Sequence, residues 1–134
     1  MRLRIPLPPS VNRIFKIVKV GGRYRLGLTG EARRWKRSVS IAIAANRKFI
    51  PLDVGNGSYA VMRIWYRFPD RRRRDTHNHL KLLCDAVAEG LGIDDRWILV
   101  QEVGVEIDPR SPGIEIEIAE AGDEIQTVRG QAQA

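Results

Sequence analysis

The sequence has a single cysteine, Cys84, so it cannot form a disulfide within one chain. It also lacks any apolar run close to the roughly 18–20 residues that a membrane-spanning helix needs. The first ten residues are charged but have neither a long apolar stretch nor a small-residue cleavage site, which argues against a secretion signal. We therefore expect a protein of the reducing cytoplasm that has no membrane partner.

Acidic residues are almost missing from the first 50 positions, which carry 13 Lys and Arg against Glu31 alone, a net charge of +12. Positions 51–134 carry 10 basic and 15 acidic residues, a net charge of −5. A basic surface can hold a polyanion by releasing its counterions, and acids that converge can hold a divalent cation. A basic surface without a specific partner is the alternative, but this asymmetry favours a nucleic-acid partner.

The hydrophobic pattern predicts one domain with an α+β fold, a mostly antiparallel or mixed sheet with two helices packed on it. Neither helix sits in a repeating βαβ unit with a Gly-rich turn, so nothing supports a nucleotide-binding fold. Residues 1–121 carry the pattern, and residues 122–134, which lack periodicity, are expected to be a disordered tail. The predicted helices are residues 29–46, capped by Thr29, and residues 78–90.

Six strands, two of them joined by a hairpin tip, complete this prediction. The tip is Gly21-Gly22, between two strands of alternating pattern. The last two strands are expected to pair as an antiparallel hairpin, and Trp35 and Trp65 are expected in the core. The predicted strands cover residues 2–7, 14–20, 24–28, 59–68, 97–107 and 113–119, the second and third of which form the hairpin.

The residues that suggest chemistry lie between a strand end and a helix start, in the segment from Phe68 to Lys81. Asp75 and His77 alternate in an extended stretch, so both side chains can point the same way. Asn78 opens the helix beside them, and Lys81 lies one turn on. Asp85 follows at the i+4 position from Lys81, where a helix-surface ion pair is expected.

Two more carboxylates, Asp94 and Asp95, fall in the turn after that helix, and packing of the helix on the sheet can bring both segments to one edge. Mg²⁺ in proteins takes one or two carboxylates together with phosphate and water. Phosphodiester cleavage uses such a cation to lower the pKa of water and to balance charge on the phosphorus. A lysine can stabilise the leaving oxygen, and arginines can clamp the flanking phosphates.

The same residues resemble those of a known family. The run from Pro69 through four arginines to Asp75, followed by Asn78, Lys81, Asp85-Ala86 and Asp94-Asp95, resembles RusA, the Holliday junction resolvase of bacteria and lambdoid phages. The opening Leu7-Pro-Pro-Ser-Val-Asn-Arg13 is similar to the N-terminal pattern of that family. The resemblance covers roughly residues 3 to 118, so residues 1–121 are expected to be one RusA-like nuclease domain.

What the resemblance implies is a homodimer that makes symmetric, Mg²⁺-dependent nicks in four-way junction DNA during recombination and repair, in a bacterial or phage-infected cell. It uses no small-molecule cofactor, and Mn²⁺ is a possible substitute for Mg²⁺. The implied catalytic residues are Asp75, Lys81 and Asp95. The candidate metal ligands are Asp75, His77, Asp94 and Asp95. The candidate DNA-binding residues are Asn12, Arg13, Arg71, Arg72, Arg73, Arg74, Asn78 and Lys81.

One position departs from the family pattern. Where the familiar bacterial member has a second Asp two residues after the first, this chain has His77. A neutral imidazole can bind a metal, but it brings no negative charge and is a softer ligand than a carboxylate. A junction-binding protein with weak or no cleavage is therefore one alternative. A metal-dependent nuclease that acts on flap DNA or RNA is a separate one.

Overall fold

The computed structural model describes residues 2–10, 13–50, 58–72, 74 and 76–121, with the backbone alone at 76–78. The predicted tail, 122–134, and three candidate site residues, Asn12, Arg73 and Asp75, lie outside the described residues. The described residues form six strands and two α-helices. In chain order they are β1 (Arg2–Ile5), β2 (Phe15–Val20), β3 (Arg23–Leu28), α1 (Gly30–Ala45), β4 (Ala60–Phe68), α2 (Thr76–Leu91), β5 (Ile98–Ile107) and β6 (Gly113–Glu120).

Within the described part of the chain, four strands form a mixed sheet in the order β1-β6-β4-β5. Strand β6 is antiparallel to β1 and β4, whereas β4 and β5 run parallel. The buried residues of α1, α2 and the sheet form one hydrophobic core. The predicted α+β fold with two helices on a mixed sheet is therefore confirmed.

The predicted antiparallel hairpin of the last two strands is wrong, because β4 lies between β5 and β6. The reason is the crossover helix α2, which follows β4 and carries the chain back, so that β5 enters the sheet parallel to β4. Strand β6 then pairs with the other side of β4. This crossover places both connections of α2, the site-bearing segments, next to the sheet.

The central strand β4 separates the core face of the sheet from a charged outer face. Alternate residues from Ala60 to Phe68 are buried, and Arg63, Trp65 and Arg67 point to the opposite face. There the Arg2 guanidinium lies 4.0 Å from the centroid of the Trp65 ring. The prediction that Trp65 belongs to the core is therefore wrong, because the strand alternation puts it on the outer face, where Arg2 covers it.

The first helix begins as its sequence predicts. The Thr29 hydroxyl oxygen accepts a hydrogen bond from the backbone N–H of Ala32 at 3.1 Å, a side-chain cap for one of the free N–H groups of the first turn. Trp35 on this helix is buried, as predicted, and its Nε1 donates to the carbonyl of Pro6 at 3.0 Å. Neither this helix nor any other in the described residues has the length and apolarity to cross a membrane.

The two helices meet at Gly90, near the end of α2. A Cβ atom at this position would lie 2.6 Å from the Ser40 carbonyl oxygen and 2.6 Å from Cβ of Ile43. Real Cβ atoms essentially never come so close to another heavy atom, and the carbonyl is backbone, which cannot swing aside. Gly90 thus sets how closely the two helices approach. It thereby also sets the position of α2, which carries the candidate site residue Lys81.

We expect Gly90→Ala to destabilise the protein by about 1–3 kcal/mol, the usual cost of overpacking. Alanine is the better helix former by about 1 kcal/mol, so a shift of the helices must outweigh that gain. Thermal and urea unfolding measure the difference. The control is Gly104→Ala on β5, where the new Cβ meets only an ordinary 3.7 Å contact with Trp65. Equal stability of Gly90→Ala and the parent chain would contradict the close helix approach.

Strands β2 and β3 form a separate two-stranded antiparallel sheet, which we call the hairpin arm. Gly21 and Gly22 at its tip have φ angles of 58° and 78°, the left-handed conformation at both central positions of a type I′ turn. The predicted hairpin tip is confirmed. At its base, Ile14 is fully buried and its carbonyl accepts a hydrogen bond from Thr29 N–H.

Candidate active site

The chain turns back on itself directly after α2. Gly92 has a φ of 72°, its N–H donates to the carbonyl of Glu89, and the N–H of Ile93 donates to the carbonyl of Ala88. This is the pair of hydrogen bonds of a Schellman helix end, in which glycine at the left-handed position avoids a Cβ penalty. The reversal places the single-turn 3₁₀ helix Asp95–Trp97 beside α2.

That reversal builds a cluster of three charged side chains, which we call the Lys81 cluster: Lys81, Asp85 and Asp95. The Nζ atom of Lys81 lies 2.9 Å from Oδ2 of Asp95 and 3.1 Å from Oδ1 of Asp85. The Lys81–Asp85 pair is the predicted i,i+4 ion pair. The structure thus joins two segments that are 14 residues apart in the sequence.

Within the Lys81 cluster, Lys81 keeps the carboxylate of Asp95 ionised. The hydrogen bond from Lys81 and then its positive charge hold the pKa of Asp95 below its ordinary value. Hydrogen bonds to Asp95 and Asp85 in turn raise the pKa of Lys81, so the lysine stays protonated across the neutral range. Asp95 is therefore an anionic oxygen donor in a cluster that already accommodates a positive charge.

The neighbouring thiol does not take part as a thiolate. Burial, and then the negative charges of Asp85 and Asp95, raise the pKa of Cys84 to about 11. Thiolate is the nucleophilic and metal-binding form of cysteine, and little of it exists near neutral pH. Cys84 packs against the hydrophobic core, as predicted from its place on the apolar side of α2.

The other acid of the turn has a structural task. Oδ1 of Asp94 accepts a hydrogen bond from the backbone N–H of Arg96 at 3.0 Å, and so caps the short helix that contains Asp95. One carboxylate oxygen of Asp94 is thereby engaged. The predicted role of Asp94 as a metal ligand stays a prediction, and its capping role was not anticipated.

The loop between β4 and α2 carries the arginine run, and one residue organises it. Oδ1 of Asp70 accepts from the backbone N–H of Arg72 at 3.0 Å and from Nη2 of Arg74 at 2.7 Å. These hydrogen bonds, that from Arg72 first, lower the pKa of Asp70. The Arg74 guanidinium also lies 4.7 Å from the centroid of the Phe68 ring. Arg74 therefore fixes the loop conformation.

The remaining arginines of the run differ from Arg74. Arg71 and Arg72 are exposed to solvent, and among the described residues the Arg72 side chain makes only a long ion-pair contact, with its Nε 3.9 Å from Oδ2 of Asp70. Both are available for a phosphate, whereas Arg73 lies outside the described residues. The sequence predicted a DNA-binding role for all four arginines and gave none to Asp70, although the i,i+4 spacing of Asp70 to Arg74 was visible.

The contacts among the described residues do not bring every predicted site residue to the Lys81 cluster. Arg13 is exposed at the base of the hairpin arm, where its carbonyl accepts from the Thr29 hydroxyl, and no contact joins it to the Lys81 cluster in the described part of the chain. The side chains of His77 and Asn78 fall outside what is described, as does Asp75. The described residues alone contain no group of three or more His, Cys, Asp or Glu arranged to hold a metal ion.

Comparison with known proteins shows which family the chain resembles over most of its length. Residues 6–119 match a family described as Endodeoxyribonuclease RusA. The chain is 30% identical over 123 residues to proteins of Shigella sonnei (strain Ss046) and Escherichia coli (strain K12), each named crossover junction endodeoxyribonuclease RusA. A protein of the same name from Enterobacteria phage 82 is 29% identical over 123 residues. Each alignment covers 91% of this chain and 96% of the relative.

Proposed function

Because the chain belongs to the RusA family of endodeoxyribonucleases, we propose that it resolves four-way DNA junctions by metal-dependent phosphodiester cleavage in recombination and repair. The observation that carries this proposal is the contact of Lys81 with Asp95. It joins a lysine and an ionised carboxylate from two segments of the family motif at one point of the surface.

The donors around this point suit a hard cation. Asp95 offers carboxylate oxygen, the ligand type that Mg²⁺ takes, and its lowered pKa keeps it deprotonated. Asp75 is the proposed second ligand, with His77 and Asp94 as further candidates and Mn²⁺ as a substitute. When bound, the cation supplies charge to balance the phosphate and lowers the pKa of a water.

The protein side chains do the remaining work of placing the strand. Lys81 holds Asp95 by a 2.9 Å hydrogen bond. Its proposed role is to stabilise, through its ammonium charge, the negative charge that grows on the leaving oxygen. Arg71 and Arg72, exposed in the loop before α2, bind the flanking phosphates, which fixes the register of the strand without reading its sequence.

Two opposed nicks require two active sites, and a closed two-fold dimer provides them most simply. Strand β4 lies inside the sheet, between β6 and β5, and is not free to pair with another chain. Strand β5, in contrast, lies at the edge of the sheet. Four large apolar residues of β5 are exposed to solvent, Leu99, Val103, Val105 and Ile107. An exposed apolar edge is a template for pairing with another chain, which supports β5 as the subunit contact.

The double substitution Val103→Lys/Val105→Lys tests this contact. We expect it to shift the protein from dimer to monomer in sedimentation at micromolar concentration, because two charges on a buried edge would lose their hydration. The matched control is Phe49→Lys, which also replaces an exposed apolar side chain, but away from β5. A dimer as tight as the parent dimer would contradict the role of β5.

A second function is favoured by one observation, the histidine at position 77 in place of the acid of the family's familiar member. Loss of a negative ligand weakens a Mg²⁺ site, and a protein that binds junctions without cutting them follows from that loss. Such a protein would bind junctions through its exposed arginines but would cleave them little, whichever metal ion is added.

Cleavage of end-labelled substrates distinguishes these functions. A four-way junction, a linear duplex of the same arm sequence, a flap and a linear RNA are incubated with Mg²⁺, Mn²⁺ or EDTA. We expect metal-dependent nicks in the junction at symmetric positions and little cutting of the other substrates. Equal or faster cutting of the flap or the RNA, or tight binding without cutting in both metals, would reject the proposal.

A further inference from the structure

The hairpin arm exposes both of its faces to solvent. In an antiparallel pair, directly opposite residues share a face, so Ile17 lies beside Leu26 and Lys19 beside Tyr24. Ile17, Tyr24 and Leu26 are 72%, 73% and 74% exposed, which makes one face apolar and aromatic. The arm is anchored at Ile14, and nothing in the described part of the chain covers this face.

The other feature of the arm is its charge. Residues 13–28 contain five basic side chains and no acid. All five are exposed, and in the described part of the chain none forms an ion pair. The opposite face of the arm carries Lys16, Arg23 and Arg25. The arm is therefore a ribbon with one mainly apolar face, which also carries Lys19, and one mainly cationic face, which also carries Val18 and Val20.

The cationic surface continues beyond the arm. A groove of about 650 Å³ beside α1 is lined by Leu28, from the last position of β3, together with Arg33, Lys36 and Arg37. One acid also lines it, Glu89 of α2, which lies 3.8 Å from the Lys36 ammonium. Glu31 is the only acid between residues 13 and 37, so the arm and the first half of α1 form a basic surface that Glu89 borders. A polyanion that lies along α1 can pass onto the arm.

An isolated two-stranded ribbon is marginally stable in water, so this arm needs a partner to be held in one conformation. A second copy of the chain is one possible partner, because β5 offers exposed apolar residues. Five unpaired cations, however, exceed what the two glutamates of β5 can neutralise, whereas DNA carries a phosphate at every nucleotide. The charge therefore favours DNA.

Resting on the proposed junction-resolving function, we propose that the hairpin arm is a second DNA-binding element, separate from the Lys81 cluster. It enters the branch point of the junction. A two-stranded ribbon fits the major groove of about 12 Å width. Its apolar face, with Ile17, Tyr24 and Leu26, lies against bases exposed at the branch, as apolar side chains do in proteins that open a base step. Its cationic face binds the flanking phosphates.

Binding is measured by fluorescence anisotropy in EDTA, where no cutting occurs, on a four-way junction and on a linear duplex. For Ile17→Ser/Leu26→Ser we expect the affinity for the junction to fall about tenfold, the effect of losing one base contact, and the affinity for the duplex to change less than twofold. A 2-aminopurine at the branch point is expected to lose its protein-dependent fluorescence change. Tyr24→Ala, which keeps the cross-strand apolar pair, is expected to behave similarly.

For Arg23→Gln/Arg25→Gln we expect weaker binding to both DNAs and a salt slope less negative by about 1.8, since each phosphate contact contributes about 0.9. The matched controls are Phe49→Ser and Arg110→Gln, exposed residues outside the arm that should leave binding unchanged. Circular dichroism and sedimentation of every variant establish its folding and its oligomeric state.

Arm variants that bind both DNAs like the parent chain would overturn the proposal. So would dissociation of a dimer by Ile17→Ser/Leu26→Ser, because a second copy would then cover the apolar face. These results differ from failure of the proposed function itself. If the parent chain shows no preference for the junction over the duplex, the resolvase function fails, whereas a parent preference that the arm variants keep rejects the arm alone.

Discussion

Asp95→Asn is expected to lower the rate of junction cleavage at least about a hundredfold, the scale of removing a preorganised electrostatic group from an active site. The affinity for junction DNA should stay within about twofold, because phosphate contacts from basic residues dominate that affinity. The amide keeps the shape of the side chain but removes the negative charge of the Asp95 carboxylate, which Lys81 now keeps ionised. Single-turnover cleavage and anisotropy in EDTA measure the two quantities separately.

Asp108→Asn is the matched control for this variant. Asp108 lies in the turn between β5 and β6, where its Oδ1 accepts from the N–H of Ser111 at 3.1 Å, and asparagine can accept the same hydrogen bond. We expect parental cleavage from this control. Asp75→Asn should behave like Asp95→Asn. Parental cleavage by Asp95→Asn would remove Asp95 from the site.

Lys81→Met is expected to lower the cleavage rate by about tenfold to a hundredfold at neutral pH, in the range of a lost catalytic group that moves or stabilises charge. It should also move the acidic limb of the pH–rate profile to higher pH. The ammonium of Lys81 lowers the pKa of Asp95, and its removal lets that pKa rise toward the ordinary value. Because the ionised carboxylate is the active form, activity is then lost at a higher pH as the solution is acidified.

The control for Lys81→Met is Lys48→Met, an exposed lysine on the 3₁₀ helix Arg47–Phe49. It removes one positive charge from the protein without touching the Lys81 cluster, so its pH profile should match that of the parent chain. Since the pKa of Lys81 is raised, an alkaline limb near neutral pH does not report this lysine. An unchanged acidic limb in Lys81→Met would contradict the coupling to Asp95.

The sequence predicted elements with strong local signals. Thr29 marked the start of α1, and Gly21-Gly22 marked the hairpin tip, because capping and type I′ turns depend on residues next to one another. The partner of β5 was mispredicted, since alternation reports which face a residue takes and not which strand lies beside it. The predicted core position of Trp65 was wrong for a related reason. A large apolar ring can be covered by an arginine on the outer face of the sheet and need not lie in the core.

For the candidate site, the sequence predicted the participants but not their grouping. The Lys81–Asp85 pair followed from helical spacing, whereas the contact of Lys81 with Asp95 depends on the reversal at Gly92. The division of the arginine run also depends on three-dimensional contacts, since Arg74 is held by Asp70 and Phe68 while Arg72 is exposed. Spacing alone does not show which arginine of the run holds the loop, and the DNA-binding role of Arg74 stays a prediction.

The central claim is that this chain cuts a four-way junction on two opposed strands, and a supercoiled plasmid with an extruded cruciform tests it most directly. Two nicks made within the lifetime of one complex yield linear DNA, whereas independent single nicks yield relaxed circles first. We predict that the parent chain in Mg²⁺ or Mn²⁺ forms linear product without prior accumulation of nicked circles. A plasmid left intact in both metals, or one converted only to nicked circles, would contradict the account.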